Sequence, residues 1–279
     1  MDALASLLVH VDSTPRAEAR LRIARRLAEA HGASLTAFYA AAPVVTEMDL
    51  EVEVAAGATA LTLLREVDDV RRRAALSTVD RVRAEAGAKA SIAWEESDLA
   101  DPIDATMRRA LYADLVVLGQ HEPSTPTQGV PTDFVESVIV GSGTPALVLP
   151  YIETGAAPGT CVLVAWNETP SCAHALSAAW PLVRSARRVH VVGWGRAAEG
   201  GALDRAGEFL RQHGVSAEVH RPRPADADVG ERMLSLAAEL SADLMVMGCY
   251  GHSRALELVL GGATRTFLRS MTLPVLMAH

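Results

Sequence analysis

The sequence has few cysteines, few aromatic residues and an excess of negative charge, and each of these features excludes a class of protein. Its three cysteines, Cys161, Cys172 and Cys249, form no CxxC pair, and their odd number argues against a disulfide framework. Free thiols are typical of a reducing compartment, so we predict a cytoplasmic protein. Lysine and arginine number 26 against 34 aspartates and glutamates, and this net charge of −8 disfavours nonspecific binding to nucleic acid.

Long apolar runs are also missing. No uninterrupted apolar stretch approaches the roughly 18 residues that a membrane span needs, so we expect no membrane association. The opening segment MDALASLLVHVD has no basic region before its short apolar stretch, and it predicts a first strand rather than a signal peptide. Apolar residues as a whole make up 49% of the 279 residues, which is enough for two domains with separate cores.

The chain contains an internal repeat. Ala113–Gly119 (ADLVVLG) resembles Ala242–Gly248 (ADLMVMG) at an offset of 129 residues, and Val9–Pro15 (VHVDSTP) resembles Val164–Pro170 (VAWNETP) at an offset of 155. The two offsets differ by 26 residues, so the first half carries an insertion, which we place between positions 43 and 76. An ordinary helix extension is one interpretation of this insertion, and a cover over a pocket or a dimer contact is another.

Both halves alternate apolar strand runs with helical segments. The strand runs of the second half are CVLVAW, RRVHVV, SAEVH, DLMVMG and PVLM. Strands that are apolar on both faces and alternate with helices predict a parallel sheet covered by helices. We therefore predict an α/β protein with two tandem Rossmann-like domains, each a five-stranded parallel sheet flanked by helices. The domains span residues 1–150 and 159–279, with a linker around Tyr151–Gly159.

A glycine-rich segment follows the fourth strand of the second half. Gly248 and Gly251 are separated by two residues, and nine further residues lead to Gly261 and Gly262. Glycine lets the backbone approach a ligand without a Cβ in the way. Free backbone N–H groups at the following helix start favour a phosphate, and the hydroxyl of Thr264 adds a further donor. Tight turns explain the same spacing equally well, so the spacing alone leaves both interpretations open.

The same segment resembles the universal stress protein family. Its ATP-binding members carry Gly, two residues, Gly, nine residues, Gly and then Ser or Thr, just before the last strand. VAWNETP resembles the first strand and turn of the family, and the resemblance covers nearly the whole chain as two copies. It implies the HUP fold of adenine nucleotide alpha hydrolase-like proteins. It also implies binding of ATP or AMP, with Mg²⁺ as an optional companion, in a stress-response role.

Two residues depart from the family pattern. Gly262 replaces the family's Ser or Thr, which removes a hydrogen bond worth about 1 kcal/mol. Asn167 replaces an Asp, although its carboxamide can still accept and also donate. Binding is expected to be weakened or retuned rather than lost. By resemblance the adenine pocket includes the end of the second strand. The predicted nucleotide-binding residues are Asn167, Val192, Met247, Gly248, Gly251, His252, Gly261, Gly262, Ala263 and Thr264.

The first half has lost the glycine pattern. At the offset of 129, Glu122, Thr132 and Asp133 stand where the second half has Gly251, Gly261 and Gly262. Asp133 and the Glu three residues later form a capping pattern at a helix start, and their carboxylates oppose a phosphate. We therefore predict that the first domain binds no nucleotide.

No residue set predicts catalysis or a metal site. Cys249 lies beside the glycine segment without a His–Asp partner at useful spacing. Trp166 and Trp194 follow apolar strands and are interpreted as packing residues rather than adenine platforms. No HxxxH or Cys/His ligand spacing joins His10, His174, His190 and His220.

Three hypotheses follow. The first is a nucleotide-responsive binding protein, in which ATP or AMP in the second domain biases a conformation or a partner surface. The second is a slow ATPase, and the third is a nucleotide-free interaction module or a binder of another small ligand. In the family, copies commonly pair through their last strands. The resemblance thus implies that PALVLP and PVLM pair within the chain, and it allows a second copy of the chain or another protein as partner.

Overall fold

The computed structural model describes residues 3–47, 58–86, 91–125, 128–152, 157–194, 198, 200–222, 229–249 and 267–279. These residues form two compact units. One comprises Ala5–Ser142, and the other comprises Gly143–His279 with the first residues of the chain.

The first unit is built on a parallel sheet with the strand order β3-β2-β1-β4. Its strands are β1 (Ser6–Val11), β2 (Ser34–Tyr39), β3 (Ile92–Glu96) and β4 (Leu115–Gly119). Its helices are α1 (Arg16–His31), α2 (Ala58–Ala86), α3 (Pro102–Ala110) and α4 (Phe134–Ser142), with a short 3-10 helix at Val44–Glu47. The central strand β1 is buried along most of its length, as expected of a parallel strand covered on both faces.

The second unit has the strand order β5-β10-β9-β6-β7-β8. Its strands are β5 (Ala146–Leu149), β6 (Cys161–Ala165), β7 (Arg188–Val192), β8 (Ala217–His220), β9 (Leu244–Gly248) and β10 (Val275–Ala278). Its helices are α5 (Pro170–Ala178), α6 (Trp180–Ser185), α7 (Ala202–Gln212) and α8 (Val229–Glu239). The two units thus confirm the predicted α/β class, with mostly parallel sheets flanked by helices.

Strand β5 pairs antiparallel with β10, from Val148 opposite Val275 to Ala146 opposite Met277. These strands are PALVLP and PVLM of the two repeats, so the pairing of last strands implied by the family resemblance is present. Every residue of both strands is buried. For this reason the compact unit of the second repeat begins at Gly143, whereas the sequence ends the first domain at residue 150.

Local sequence rules explain where the helices begin and end. Helix α1 ends at Gly32, whose φ of 65° is left-handed and whose N–H bonds to carbonyls of the last turn. Helix α3 follows Asp101, whose carboxylate accepts the N–H of Ile103 at 2.8 Å. Pro102 occupies the first turn of α3, where no intrahelical N–H is needed.

Helix α2, with the 3-10 helix at Val44–Glu47, accounts for nearly all of the described part of the predicted insertion. It has 29 residues, whereas α7, which holds the corresponding position in the second repeat, has 11. None of the described helices is both long enough and apolar enough to cross a membrane.

Candidate functional site

Three neighbouring strand ends of the second unit hold the described part of the predicted nucleotide site. The register places Ala165, at the end of β6, opposite Val192 on β7 and opposite Met247 on β9. Asn167 follows β6 by two residues, and Gly248 is the last residue of β9. The carboxyl ends of parallel strands are where ligands bind in open α/β sheets. The structure therefore brings together Asn167, Val192, Met247 and Gly248.

The other predicted binding residues lie outside the described residues. They are Gly251, His252, Gly261, Gly262, Ala263 and Thr264.

Gly248 is required by packing against helix α5. A Cβ built on Gly248 would lie 2.7 Å from the carbonyl carbon of Ser171 and 2.8 Å from its Oγ, and closer still to the backbone nitrogen of Cys172. Since real Cβ atoms do not approach backbone this closely, any side chain would push the first turn of α5 away from β9. Close packing by itself explains glycine here, without a ligand.

Asn167 is exposed on the turn between β6 and α5. Its Oδ1 accepts a hydrogen bond from the Thr169 hydroxyl at 2.6 Å, and Thr169 in turn caps α5 by accepting the N–H of Cys172 at 3.3 Å. The carboxamide oxygen is therefore engaged. A ligand at this turn would meet Asn167 mainly through its NH₂ group, which donates.

Trp166 and Trp194 each follow one of these strands, and the Nε1–H group of each indole is buried. Neither group has a hydrogen-bond acceptor among the described residues. A buried donor without a partner costs about 1–3 kcal/mol, so such groups indicate an acceptor that is still to be identified. From the sequence, both tryptophans are interpreted as packing residues. The apolar strands before them do not indicate where the indole N–H groups point, so the buried donors are missed.

The equivalent crevice of the first unit is occupied by an ion pair. Arg20 donates from Nη2 to Oδ2 of Asp12 at 2.7 Å and from Nε to the carbonyl of His10 at 2.8 Å. Arg20 and Asp12 are buried. Burial alone raises the pKa of the Asp12 carboxyl, but the Arg20 charge, with His10 and the hydroxyl of Thr14, holds that pKa below its usual value.

Two further side chains line this crevice. His10 is buried, its Nε2 lies 2.9 Å from the carbonyl oxygen of Ala40, and its ring centre is 4.5 Å from that of Phe134. Burial lowers the pKa of His10 to about 4, so the ring is neutral at pH 7 and Nε2–H donates to Ala40. The Arg20 guanidinium also occupies the place where a Cβ of Gly119 would lie.

The acidic residues at the positions of the second repeat's glycines, Asp133 and Glu122, do not block this crevice. Asp133 is exposed and is not among the residues that line the crevice; its carboxylate accepts the Ser137 hydroxyl at 3.3 Å. Glu122 lies at the rim, where its carboxylate is 3.5 Å from Nε of Arg16. Arg20, His10 and Phe134 narrow the crevice instead, because their side chains line it from the strand and the helices.

The repeat relates these filling residues to alanines. His10 and Arg20 correspond to Ala165 and Ala175 at the offset of 155, and Phe134 corresponds to Ala263 at the offset of 129. Ala165 and Ala175 are buried in the second unit. At three equivalent positions, large side chains in the first repeat are replaced by a methyl group in the second.

None of the three cysteines is a candidate nucleophile. All three are buried free thiols. Burial raises the pKa of Cys249, which lies beside the glycine segment, to about 12. Its thiol is therefore protonated at neutral pH and lacks the thiolate that nucleophilic attack requires.

Comparisons with known proteins point to one family. Residues 162–279 match the model of the universal stress protein family. A universal stress protein from Archaeoglobus fulgidus DSM 4304 is similar in structure, with a TM-score of 0.72 and 16% identity over 98% of this chain and 95% of that one. A functionally unknown protein from Pseudomonas aeruginosa PAO1 gives a TM-score of 0.59 and 15% identity over 99% and 93% of the two chains. No curated protein matches the sequence.

One shorter relative was solved with a ligand. A universal stress protein in complex with cAMP aligns with 54% of this chain and 99% of its own, at 21% identity and a TM-score of 0.33. Residues 162–279 thus match the universal stress protein family, and along its full length the chain has the fold of the Archaeoglobus fulgidus universal stress protein.

Proposed function

We propose that the chain is a nucleotide-responsive binding protein whose second unit binds an adenine nucleotide, ATP or AMP, at the ends of β6, β7 and β9. One observation carries the proposal: His10, Arg20 and Phe134, which line and narrow the crevice of the first repeat, are replaced by alanine at the equivalent positions of the second repeat. A ligand needs unfilled space, and the glycine segment supplies backbone N–H groups for its phosphates.

Two further features support this location. The buried N–H groups of Trp166 and Trp194 offer donors at the same strand ends, and adenine and ribose both carry acceptors. The second half of the chain has 12 basic and 12 acidic residues, against 14 and 22 in residues 1–150, so a polyanion meets less repulsion there.

The test is calorimetric titration of the full chain with ATP and with AMP, each with and without Mg²⁺. We expect one nucleotide per chain. Ala175→Arg transfers the filling residue of the first crevice to the second and should abolish binding. The matched control is Arg20→Ala, which empties the first crevice and should leave nucleotide affinity unchanged.

A second variant covers the case in which Ala175→Arg fails to fold. Gly251→Asp, at a position outside the described residues, puts a carboxylate into the phosphate loop and should abolish binding. Binding that survives in both folded variants, or that is lost in Arg20→Ala although circular dichroism shows that variant to be folded, would contradict the proposal.

ATP hydrolysis is the alternative for the same site, and turnover separates the two. Incubation with ATP and Mg²⁺ that releases ADP, with loss of that release in Gly251→Asp, would identify a slow ATPase. If neither nucleotide binds at millimolar concentration, the nucleotide-free interaction module stands instead. A second copy of the chain as partner and a cytoplasmic location both stay predictions.

A further inference from the structure

A histidine–glutamate–histidine cluster lies on the two outer strands of the second unit. Nδ1 of His190 on β7 is 3.0 Å from Nε2 of His220 and 3.6 Å from Oε2 of Glu218, both on β8. One ligand atom from each of the three residues lies within 4.8 Å of the others. His220 ends β8 opposite Val192 of the proposed nucleotide site, whereas His190 and Glu218 lie two residues earlier on their strands.

Strand register creates the cluster. The parallel pairing places His190 opposite Glu218, and His220 follows two residues later opposite Val192. Because side chains alternate along a strand, Glu218 and His220 point to the same face. The sequence holds part of this signal as the alternation EVH, but its partner lies 28 residues earlier, so ligand spacing along the chain does not reveal it.

The His190 ring makes its polar contacts with His220 and Glu218 through Nδ1. The side chain is almost fully buried, with 6% of it exposed, and its Nε2 has no hydrogen-bond partner among the residues the structure describes. Two ring nitrogens 3.0 Å apart either share one proton or direct both lone pairs at a common ion.

We propose that His190, Glu218 and His220 bind a divalent transition-metal ion, with Zn²⁺ as the favoured ion and solvent in the fourth position. Two imidazole nitrogens and one carboxylate oxygen form a ligand set that zinc accepts in proteins. Tetrahedral ligands at 2.0–2.1 Å from one zinc ion are about 3.4 Å apart, and the two separations of 3.0 and 3.6 Å lie on either side of this value.

Exposure and charge fit an open site. β8 is the last strand in the order of the unit's sheet, and 69% of the Glu218 side chain is exposed, so solvent reaches the fourth position. Glu218 contributes one negative charge. Arg188 lies two residues before His190 on β7, and its positive charge opposes a cation. The site is therefore expected to hold its ion less tightly than a structural zinc centre.

The experiment uses the full chain, treated with a chelator, dialysed and kept free of nucleotide. Zn²⁺ is titrated by calorimetry, and Co²⁺ is added as a spectroscopic probe, because tetrahedral Co²⁺ absorbs visible light. We expect one ion per chain. Glu218→Gln and His220→Asn should each weaken zinc affinity at least about tenfold, since even the loss of an outer partner of a metal ligand costs that much. Both changes avoid the buried His190.

His213→Asn is the matched control. His213 belongs to the same unit and packs its ring 4.9 Å from that of Trp180, outside the cluster. It should leave zinc affinity and the cobalt spectrum unchanged. Zinc affinity that is unaltered in the folded double variant Glu218→Gln with His220→Asn overturns the proposal, and so does the absence of zinc binding by the parent chain. Because no nucleotide is present, neither result depends on the proposed function.

Discussion

Nη2 of Arg20 lies 2.7 Å from Oδ2 of Asp12, and both side chains are buried where strands β1 and β4 end. The guanidinium also bonds to the His10 carbonyl, so two of its nitrogens are satisfied within the crevice. In a buried ion pair each charge compensates the other. Removing one partner leaves an uncompensated charge in the low-dielectric protein interior. The ion pair consequently forms part of the wall of the first unit's crevice, which keeps an open space of about 570 Å³.

Removing the cation should destabilise the first unit strongly. Arg20→Met leaves the Asp12 carboxylate unpaired, and we expect a loss of about 3–5 kcal/mol of unfolding free energy at pH 7, measured by urea unfolding. The deficit should shrink on acidification, because protonation neutralises Asp12. Arg108→Met, at a largely exposed i,i+4 pair with Asp104, is the control and should cost less than about 1 kcal/mol. Equal losses for the two variants would contradict this account.

The buried His10 should make stability depend on pH. Burial lowers its pKa to about 4, although the nearby Asp12 favours the charged form, whereas the unfolded chain has a pKa near 6.5. Between these values the unfolded chain binds more protons, so stability falls as the pH falls from about 6.5 to 4, by about 3 kcal/mol in all. His10→Gln should flatten urea-unfolding stability across this window. His121→Gln is the control and should keep the same dependence of unfolding free energy on pH. If that dependence disappeared in His121→Gln, His10 would not be its source.

The two strand-end glycines should tolerate alanine differently. Gly248→Ala meets the backbone of Ser171 and Cys172, which cannot move without shifting α5, and we expect a loss of about 1–3 kcal/mol in unfolding free energy. Gly119→Ala meets instead the guanidinium of Arg20, which is bonded to Asp12 and to the His10 carbonyl, so its cost should come from displacing that ion pair and should shrink when Arg20 is replaced by Met. Chemical denaturation at pH 7 of both glycine variants, each with and without Arg20→Met, measures the difference, and additive losses for Gly119→Ala and Arg20→Met would refute it.

The indole N–H of Trp166 should matter for nucleotide affinity, if the proposed site is correct. Trp166→Phe keeps the ring packing and removes one donor, so affinity for ATP should fall about fivefold, the equivalent of about 1 kcal/mol for one hydrogen bond. Calorimetry gives the two dissociation constants. Trp94→Phe, in the first unit, removes an N–H that donates to Glu96 at 2.8 Å and should not change the affinity. Unchanged affinity in Trp166→Phe would exclude this indole as a ligand donor.

The first-domain crevice shows the limit of reading the two repeats from sequence. The offsets pair Arg20 with Ala175 and His10 with Ala165, so the size difference is present in the sequence. What the sequence does not give is the direction of each side chain. It favours Asp133 as the blocking group because that residue aligns with a glycine, yet Asp133 faces solvent and Arg20, from the first helix, narrows the crevice.

The sequence by itself determined the repeat, the α/β class and the apolar strands, because these depend on periodicity and burial that are written locally along the chain. The pairing of the last strands was implied only by the family resemblance. Tertiary structure alone decided which side chains share a crevice. Arg20 reaches Asp12 from a helix, and His190 meets Glu218 and His220 through strand register. Such contacts depend on three-dimensional position, since parallel strands bring together residues that are separated along the chain by a whole helix.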